Sequence, residues 1–227
     1  MAVFDLIADS YDESIANGRF DYATALAHLM PFIKKSPLRI ADLASGTGNM
    51  AHELHKQWPL AEIICEEPSG EMIKILKRKF PYFATHQKTL QNTEIKNQDL
   101  VTIAFNAINY IKPDEAGSVF RSIRAGMSKE GLLYFDALTT ESAFAVLNGE
   151  PLIKKTSSRG KLTISHRLTP ELLSHRFSIG NKKVEEHTQY LVSKQGYLTT
   201  LSSTNFKTLF AQPVPATMRT EFICEAI

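Results

Sequence analysis

The chain has 227 residues, 43% of them apolar, which suits one domain with a small appended subdomain better than two independent ones. Lysine plus arginine number 26 against 24 acids, giving a net charge of +2, and no basic run offers the footprint of a nucleic-acid binder. No basic segment followed by an apolar stretch opens the chain, and no apolar run nears the roughly 20 residues that cross a bilayer. The expectation is a soluble, cytoplasmic protein with no membrane partner.

Residues 20–34 place Tyr22, Leu26, Leu29, Met30 and Ile33 at helical spacing, ending at Lys34-Lys35-Ser36-Pro37. Residues 38–43 read as a strand, and Ala51, Leu54 and Trp58 mark one face of a helix that stops at Pro59. The alternation repeats with a strand at 61–66, a helix at 69–80, a weak strand at 82–86 and a strong one at 99–105. A helix from about Asp114 recurs at Val119, Ile123 and Met127, and a strand follows at 131–135. Such alternation predicts an α/β fold with a mostly parallel, doubly wound sheet.

Beyond Thr139 the pattern turns polar and alternating, as in Lys161–His166 and His175–Ile179, the latter followed by Gly180-Asn181, which predicts antiparallel hairpins. A short helix at 195–203 precedes strands at 206–210 and 218–226, an antiparallel close to the sheet. The reading is a core of residues 1–138 and 193–227, seven strands with the last antiparallel, and an inserted β lid at 139–192. Cys65 and Cys224 each lie in an apolar stretch and read as reduced, packed thiols.

Gly46 and Gly48 directly follow the first strand, where they let the backbone turn tightly and approach a ligand. Gly46-x-Gly48-x-x-Ala51, with Glu66 or Glu67 about 20 residues on, also satisfies a dinucleotide fingerprint. A nicotinamide oxidoreductase is therefore the alternative. Asp42 discriminates, because a carboxylate at the strand end repels a pyrophosphate and attracts a ligand that carries an ammonium group.

Asp42-Leu43-Ala44-Ser45-Gly46-Thr47-Gly48 resembles the first motif of class I S-adenosylmethionine-dependent methyltransferases, with Ala44 replacing the first glycine of the usual pattern. Glu67-Pro68-Ser69-Gly70-Glu71-Met72 is similar to that family's segment after strand two, and Ile7–Asp12 ends in a matching Tyr11-Asp12. The resemblance covers roughly residues 4–138. It implies S-adenosylmethionine as cofactor and S-adenosylhomocysteine as product.

By that resemblance Asp42, Ala44, Ser45, Gly46, Gly48 and Asn49 form the cofactor loop and Glu67 binds the ribose hydroxyls. Pro68 and Met72 flank the adenine, Tyr11 reaches the methionine carboxylate, and Phe105 closes strand four beside the site. The family's aspartate after strand three has Gln87, Lys88 or Thr89 as its nearest equivalent, and Gln87 can accept a bond from the adenine amine through its carbonyl. Taken singly, Glu67 also reads as a helix-start acid, Met72 as core and Tyr11 as a surface aromatic.

Methyl transfer is an in-line displacement that rests on positioning in a dry pocket, so no nucleophilic triad is needed. The seven histidines lack metal-ligand spacing, so no metal is implied. Asn106, Asn109 and Tyr110 follow strand four at the ligand end of the sheet, and Asp136 ends strand five; these are the acceptor-side candidates. Asn106-Ala107-Ile108-Asn109 lacks the prolines of the amide methyltransferases, which favours a small-molecule acceptor. His187, in Glu185-Glu186-His187, is the candidate base, against the plainer reading of a packed or solvated strand histidine, and Tyr110 is the second catalytic candidate; His166 and His175 carry less weight. A homodimer and a non-catalytic cofactor-binding member stay open.

Overall fold

A computed structural model describes residues 4–16, 20–147, 153–159, 162–179, 182–214 and 217–227. Short α1 (Ala8–Tyr11) runs into a π-helical turn, Asp12–Ala16. Helix α2 (Tyr22–Leu29) is capped by Asp21, whose carboxylate accepts from the amides of Ala23 and Thr24, and it tightens into a 3-10 turn at Met30–Phe32, where Pro31 interrupts the α-helical bonding. The helix expected over 20–34 is thus two shorter pieces.

The core then alternates: β1 (Arg39–Leu43), α3 (Asn49–Gln57), β2 (Glu62–Glu66), α4 (Gly70–Lys79), β3 (Ala84–His86), β4 (Gln98–Ile103), α5 (Ala116–Ala125) and β5 (Met127–Leu138). Helix α6 (Thr140–Leu147) leads to four antiparallel strands, β6 (Ile153–Arg159), β7 (Leu162–Leu168), β8 (Leu172–Ile179) and β9 (Lys182–Tyr190). Helix α7 (Lys194–Ser203), β10 (Phe206–Pro213) and β11 (Arg219–Ala226) complete the chain.

The main sheet has the order β10-β11-β5-β4-β1-β2-β3. Strands β5, β4, β1, β2 and β3 run parallel, and β11 is antiparallel to both β5 and β10. This is the expected doubly wound sheet with an antiparallel close, and β6–β9 form a second, separate sheet inserted between β5 and β10. Two expectations need correction. Strand five spans twelve residues rather than 131–135, so Asp136 lies inside it, and strand four stops at Ile103, short of Phe105. Helix α6 and strand β6 were not anticipated, and Gly180-Asn181 lies outside the described residues.

Alternation along the buried strands sends neighbours to opposite faces. Ala41, Leu43, Val101, Ile103, Leu133 and Phe135 pack one way, against α5 and α7; Ile40, Leu100, Leu132 and Tyr134 pack the other way, against α2 and α3. Phe135 and Phe222 stack across β5 and β11 at 4.6 Å and 4°. With both faces covered, the carboxyl ends of the parallel strands are left as the place for a ligand.

Candidate cofactor and acceptor site

The turn after β1 is built from left-handed residues: Ala44, Gly46 and Gly48 have φ of 53°, 54° and 86°. A side chain on Gly48 would put its Cβ 2.9 Å from Leu76 Cγ, so this glycine is needed for both conformation and clearance, whereas a Cβ on Gly46 meets nothing within 4 Å. Gly48 is the N-cap of α3.

Beside this turn lies a cavity of about 810 Å³. Of the residues expected to hold the cofactor, Tyr11, Asp42, Ala44, Ser45, Gly46, Glu67, Pro68, Met72 and Phe105 all line it. Asn106 and Tyr110, expected to face the acceptor, line it as well. Gly48, Asn49, Gln87, Asn109, Asp136 and His187 are not among its lining residues.

Asp42 is 1% exposed; its Oδ1 accepts the Thr102 hydroxyl at 2.7 Å and its Oδ2 has no hydrogen-bond partner among the described residues. Burial pushes this carboxyl up to about 7, against the bond from Thr102. Glu67 is pushed to about 7 by burial as well, although each oxygen accepts a backbone amide, Gly46 at 2.9 Å and Ser69 at 2.9 Å. Glu67 therefore ties the glycine turn to the start of α4. An orphaned acceptor and a second strongly desolvated carboxyl fit a ligand that brings hydrogen-bond donors and positive charge.

The residues outside this lining make contacts of their own. Asn49 donates to Asp12 Oδ1 at 3.0 Å and accepts from Lys79 Nζ at 2.7 Å, and Thr47 donates to the same Asp12 oxygen at 2.6 Å. This cluster pins the N-terminal segment across the glycine turn. Gln87 donates to the Pro68 carbonyl at 3.1 Å, and Thr89, Leu90 and Gln91 border the cavity in its place. Asn109, wholly buried, donates to the carbonyls of Leu138 and Tyr190 and accepts from the Leu138 amide, joining the end of β5 to β9.

Asp136 accepts the Asn106 amide at 2.9 Å and lies 3.5 Å from Arg219 Nε, while burial raises its carboxyl to about 7. His187 is 2% exposed, with Glu185 Oε1 2.9 Å from its Nε2 and the Phe4 ring 4.3 Å from its own. Burial lowers its pKa, outweighing the pull of Glu185. Tyr110 is raised by burial.

Several lining residues escaped the sequence reading. Tyr22 comes from α2, and Arg219, from β11, sets its guanidinium 4.7 Å over the Phe20 ring. His166 and His175, ranked below His187, line the cavity and meet at 2.7 Å between their Nδ1 atoms. Only strand register brings these two together, so no local motif marks them.

A family model described as a methyltransferase domain matches residues 40–131. The ubiquinone/menaquinone biosynthesis C-methyltransferase UbiE of Campylobacter jejuni is 29% identical over 143 residues, 58% of this chain and 60% of that protein. The chain thus spans less than two thirds of that relative's length. A solved S-adenosylmethionine-dependent methyltransferase from Clostridium acetobutylicum is 18% identical and aligns over 99% of both chains with a TM-score of 0.78. The sugar N-methyltransferase KedS8 from Streptoalloteichus aligns over 99% of this chain and 94% of its own at 16% identity and a TM-score of 0.74. Fold and glycine turn together are those of a Rossmann-like α/β domain with a ligand turn after its first strand. The methyltransferase-domain match spans less than half of the chain, and the solved methyltransferases share its fold along nearly its whole length. Among the described residues no helix is long and apolar enough to cross a membrane.

Proposed function

We propose that this chain moves a methyl group from S-adenosylmethionine to an oxygen, nitrogen or carbon of a small molecule, with the insertion at 139–192 acting as a lid that selects the acceptor. The observation that carries the reading is Asp42: a buried carboxylate with one unpartnered oxygen, at a glycine turn, on the wall of an 810 Å³ cavity. S-adenosylmethionine offers an ammonium there and supplies an electrophilic methyl. In this reading Gly46 and Ser45 pass along the ligand backbone to backbone, Glu67 takes the ribose hydroxyls on its remaining lone pairs, and Met72 and Pro68 border the adenine. Tyr11 closes over the methionine end.

Tyr110 and Asn106, at the mouth of β4, and the wall of the second sheet then enclose the acceptor. An 810 Å³ space has room for two modest ligands. Sugar and quinone-type relatives favour a small acceptor. A cytoplasmic setting agrees with two buried, unbridged cysteines. A nicotinamide cofactor is disfavoured because its pyrophosphate would meet both Asp42 and Glu67.

Calorimetry with S-adenosylhomocysteine tests the cofactor. Binding lost in Asp42→Ala supports the reading; NADH binding that survives the change overturns it. Label transfer from methyl-labelled cofactor to phenols, quinols and amino sugars tests the acceptor class, and a non-catalytic member would bind the homocysteine product yet methylate none of them.

A further inference from the structure

One face of the second sheet forms a wall of the cavity, with Ile164, His166 and Leu168 alternating along β7 and Leu173, His175 and Phe177 along β8. In this largely apolar wall the two imidazoles meet edge to face, centroids 4.8 Å apart and planes at 87°, with the Nδ1 atoms 2.7 Å apart. One Nδ1 must donate and the other accept. The direction is set from outside the pair.

The backbone carbonyl of Asn106 can only accept. The Gln189 side-chain amide lies 3.3 Å from it and must present its nitrogen, which turns its oxygen towards His175 Nε2 at 3.0 Å. His175 therefore carries its proton on Nε2 and, when neutral, accepts on Nδ1. His166 donates from Nδ1, and its lone pair is on Nε2. The origin of the chain is fixed in turn, since the Asn106 amide donates to the buried Asp136 at 2.9 Å and Asn106 is held at φ 51°. His187, although opposite His175 in the β8–β9 register, is not a lining residue and has Glu185 at its Nε2.

We propose that His166 Nε2 is the general base of the methyl transfer and that His175 and Gln189 are positioning residues that fix its tautomer. The proposal rests on the methyltransferase reading. As the acceptor atom's electron pair forms the new bond to the methyl carbon, the sulfur keeps the pair of the bond that breaks, and the acceptor's proton passes to His166 Nε2. The imidazolium so formed keeps its Nδ1–H bond to His175, so the relay holds through proton uptake. A second proton on the pair would set two donors face to face, which confines the site to one.

The test uses the full chain labelled with ¹⁵N-histidine, with and without S-adenosylhomocysteine. Long-range ¹H–¹⁵N spectra are expected to give the Nδ1-protonated tautomer for His166 and the Nε2-protonated tautomer for His175. Gln189→Leu should leave both as tautomer mixtures. The opposite pair of tautomers in the wild type overturns the relay, and it does so whether or not the cofactor product binds. Loss of S-adenosylhomocysteine binding with the tautomers in place would instead sink the methyltransferase reading. On the acceptor that takes label from the phenol, quinol and amino-sugar panel, His166→Gln should lower kcat by about 10²–10⁴-fold with cofactor affinity unchanged. An unchanged kcat removes His166 as the base.

Discussion

Thr102 donates a hydroxyl hydrogen bond to Asp42 across the paired register of β1 and β4, at 2.7 Å, and the second carboxylate oxygen has no hydrogen-bond partner among the described residues. The arrangement keeps a charge-seeking group desolvated beside the glycine turn. With the folded value near 7 and the unfolded one near 3.8, stability from this group is full below the unfolded value and is lost as pH rises through 7. Asp42→Asn should therefore match the wild type near pH 4 and exceed it at pH 8, by on the order of a few kcal/mol, in urea unfolding of the ligand-free protein. The same variant should bind S-adenosylhomocysteine at least tenfold more weakly at pH 8. A variant that gains no stability at pH 8 would show that Asp42 is not strained by burial.

The glycine turn makes opposite predictions at two positions. Ala44 holds φ at 53°, a conformation that alanine adopts at a cost of roughly 1–2 kcal/mol. Ala44→Gly should raise stability by up to about 1 kcal/mol, the unfolded chain's added freedom offsetting part of the gain. Gly48→Ala combines φ of 86° with a contact 2.9 Å from Leu76 Cγ, and should lose at least about 2 kcal/mol. Thermal unfolding of the two variants side by side checks both signs.

The order of core elements was readable because each strand carries a continuous or alternating apolar run and each helix a spaced apolar face. Residues 127–130, Met-Ser-Lys-Glu, carry no such run, and they join β5 through pairing that begins at Gln98 with Met127. The run Ile153-Lys-Lys-Thr-Ser-Ser-Arg is too polar to announce a strand, yet it pairs residue for residue with β7. Among site residues, Asp42 and Glu67 were legible from position relative to the glycines. Asn109 was not, because its three partners come from Leu138 and Tyr190, far along the chain. The His166–His175 contact is likewise a product of register.

Asn109 is a wholly buried polar side chain whose bonds run to two separate strands. Its amide bridges the end of β5 to β9, which fixes the second sheet relative to the core. Asn109→Ala leaves two carbonyls and an amide short of partners, and should destabilise by about 2–4 kcal/mol. The effect should fall on the unfolding midpoint. A loss confined to the acceptor KM, with stability intact, would return Asn109 to the role of a substrate contact.

Lys79 closes the cluster at Asp12, 2.8 Å from its carboxylate and 2.7 Å from Asn49 Oδ1. Burial pushes Asp12 upward, but hydrogen bonds from Lys79, Thr47 and Asn49 prevail and hold it below the ordinary value. A depressed folded value means that the tie is present above the unfolded pKa and is lost as pH falls through the folded one. The groups are about a third exposed, so the pair adds only about 1 kcal/mol or less to global stability. Its effect is local: the cluster joins the segment that carries Tyr11 to the turn that carries Gly46. Lys79→Met should leave the unfolding midpoint within about 1 kcal/mol of wild type while exposing the segment around residues 8–16 to faster proteolysis at pH 7. S-adenosylhomocysteine affinity should drop several-fold, and Lys79→Arg should restore most of it. Proteolysis at the wild-type rate in Lys79→Met would show that the N-terminal segment is held without Lys79, by the Thr47 and Asn49 bonds to Asp12 and by apolar contacts such as those of Ala8 with Met72 and Ile75.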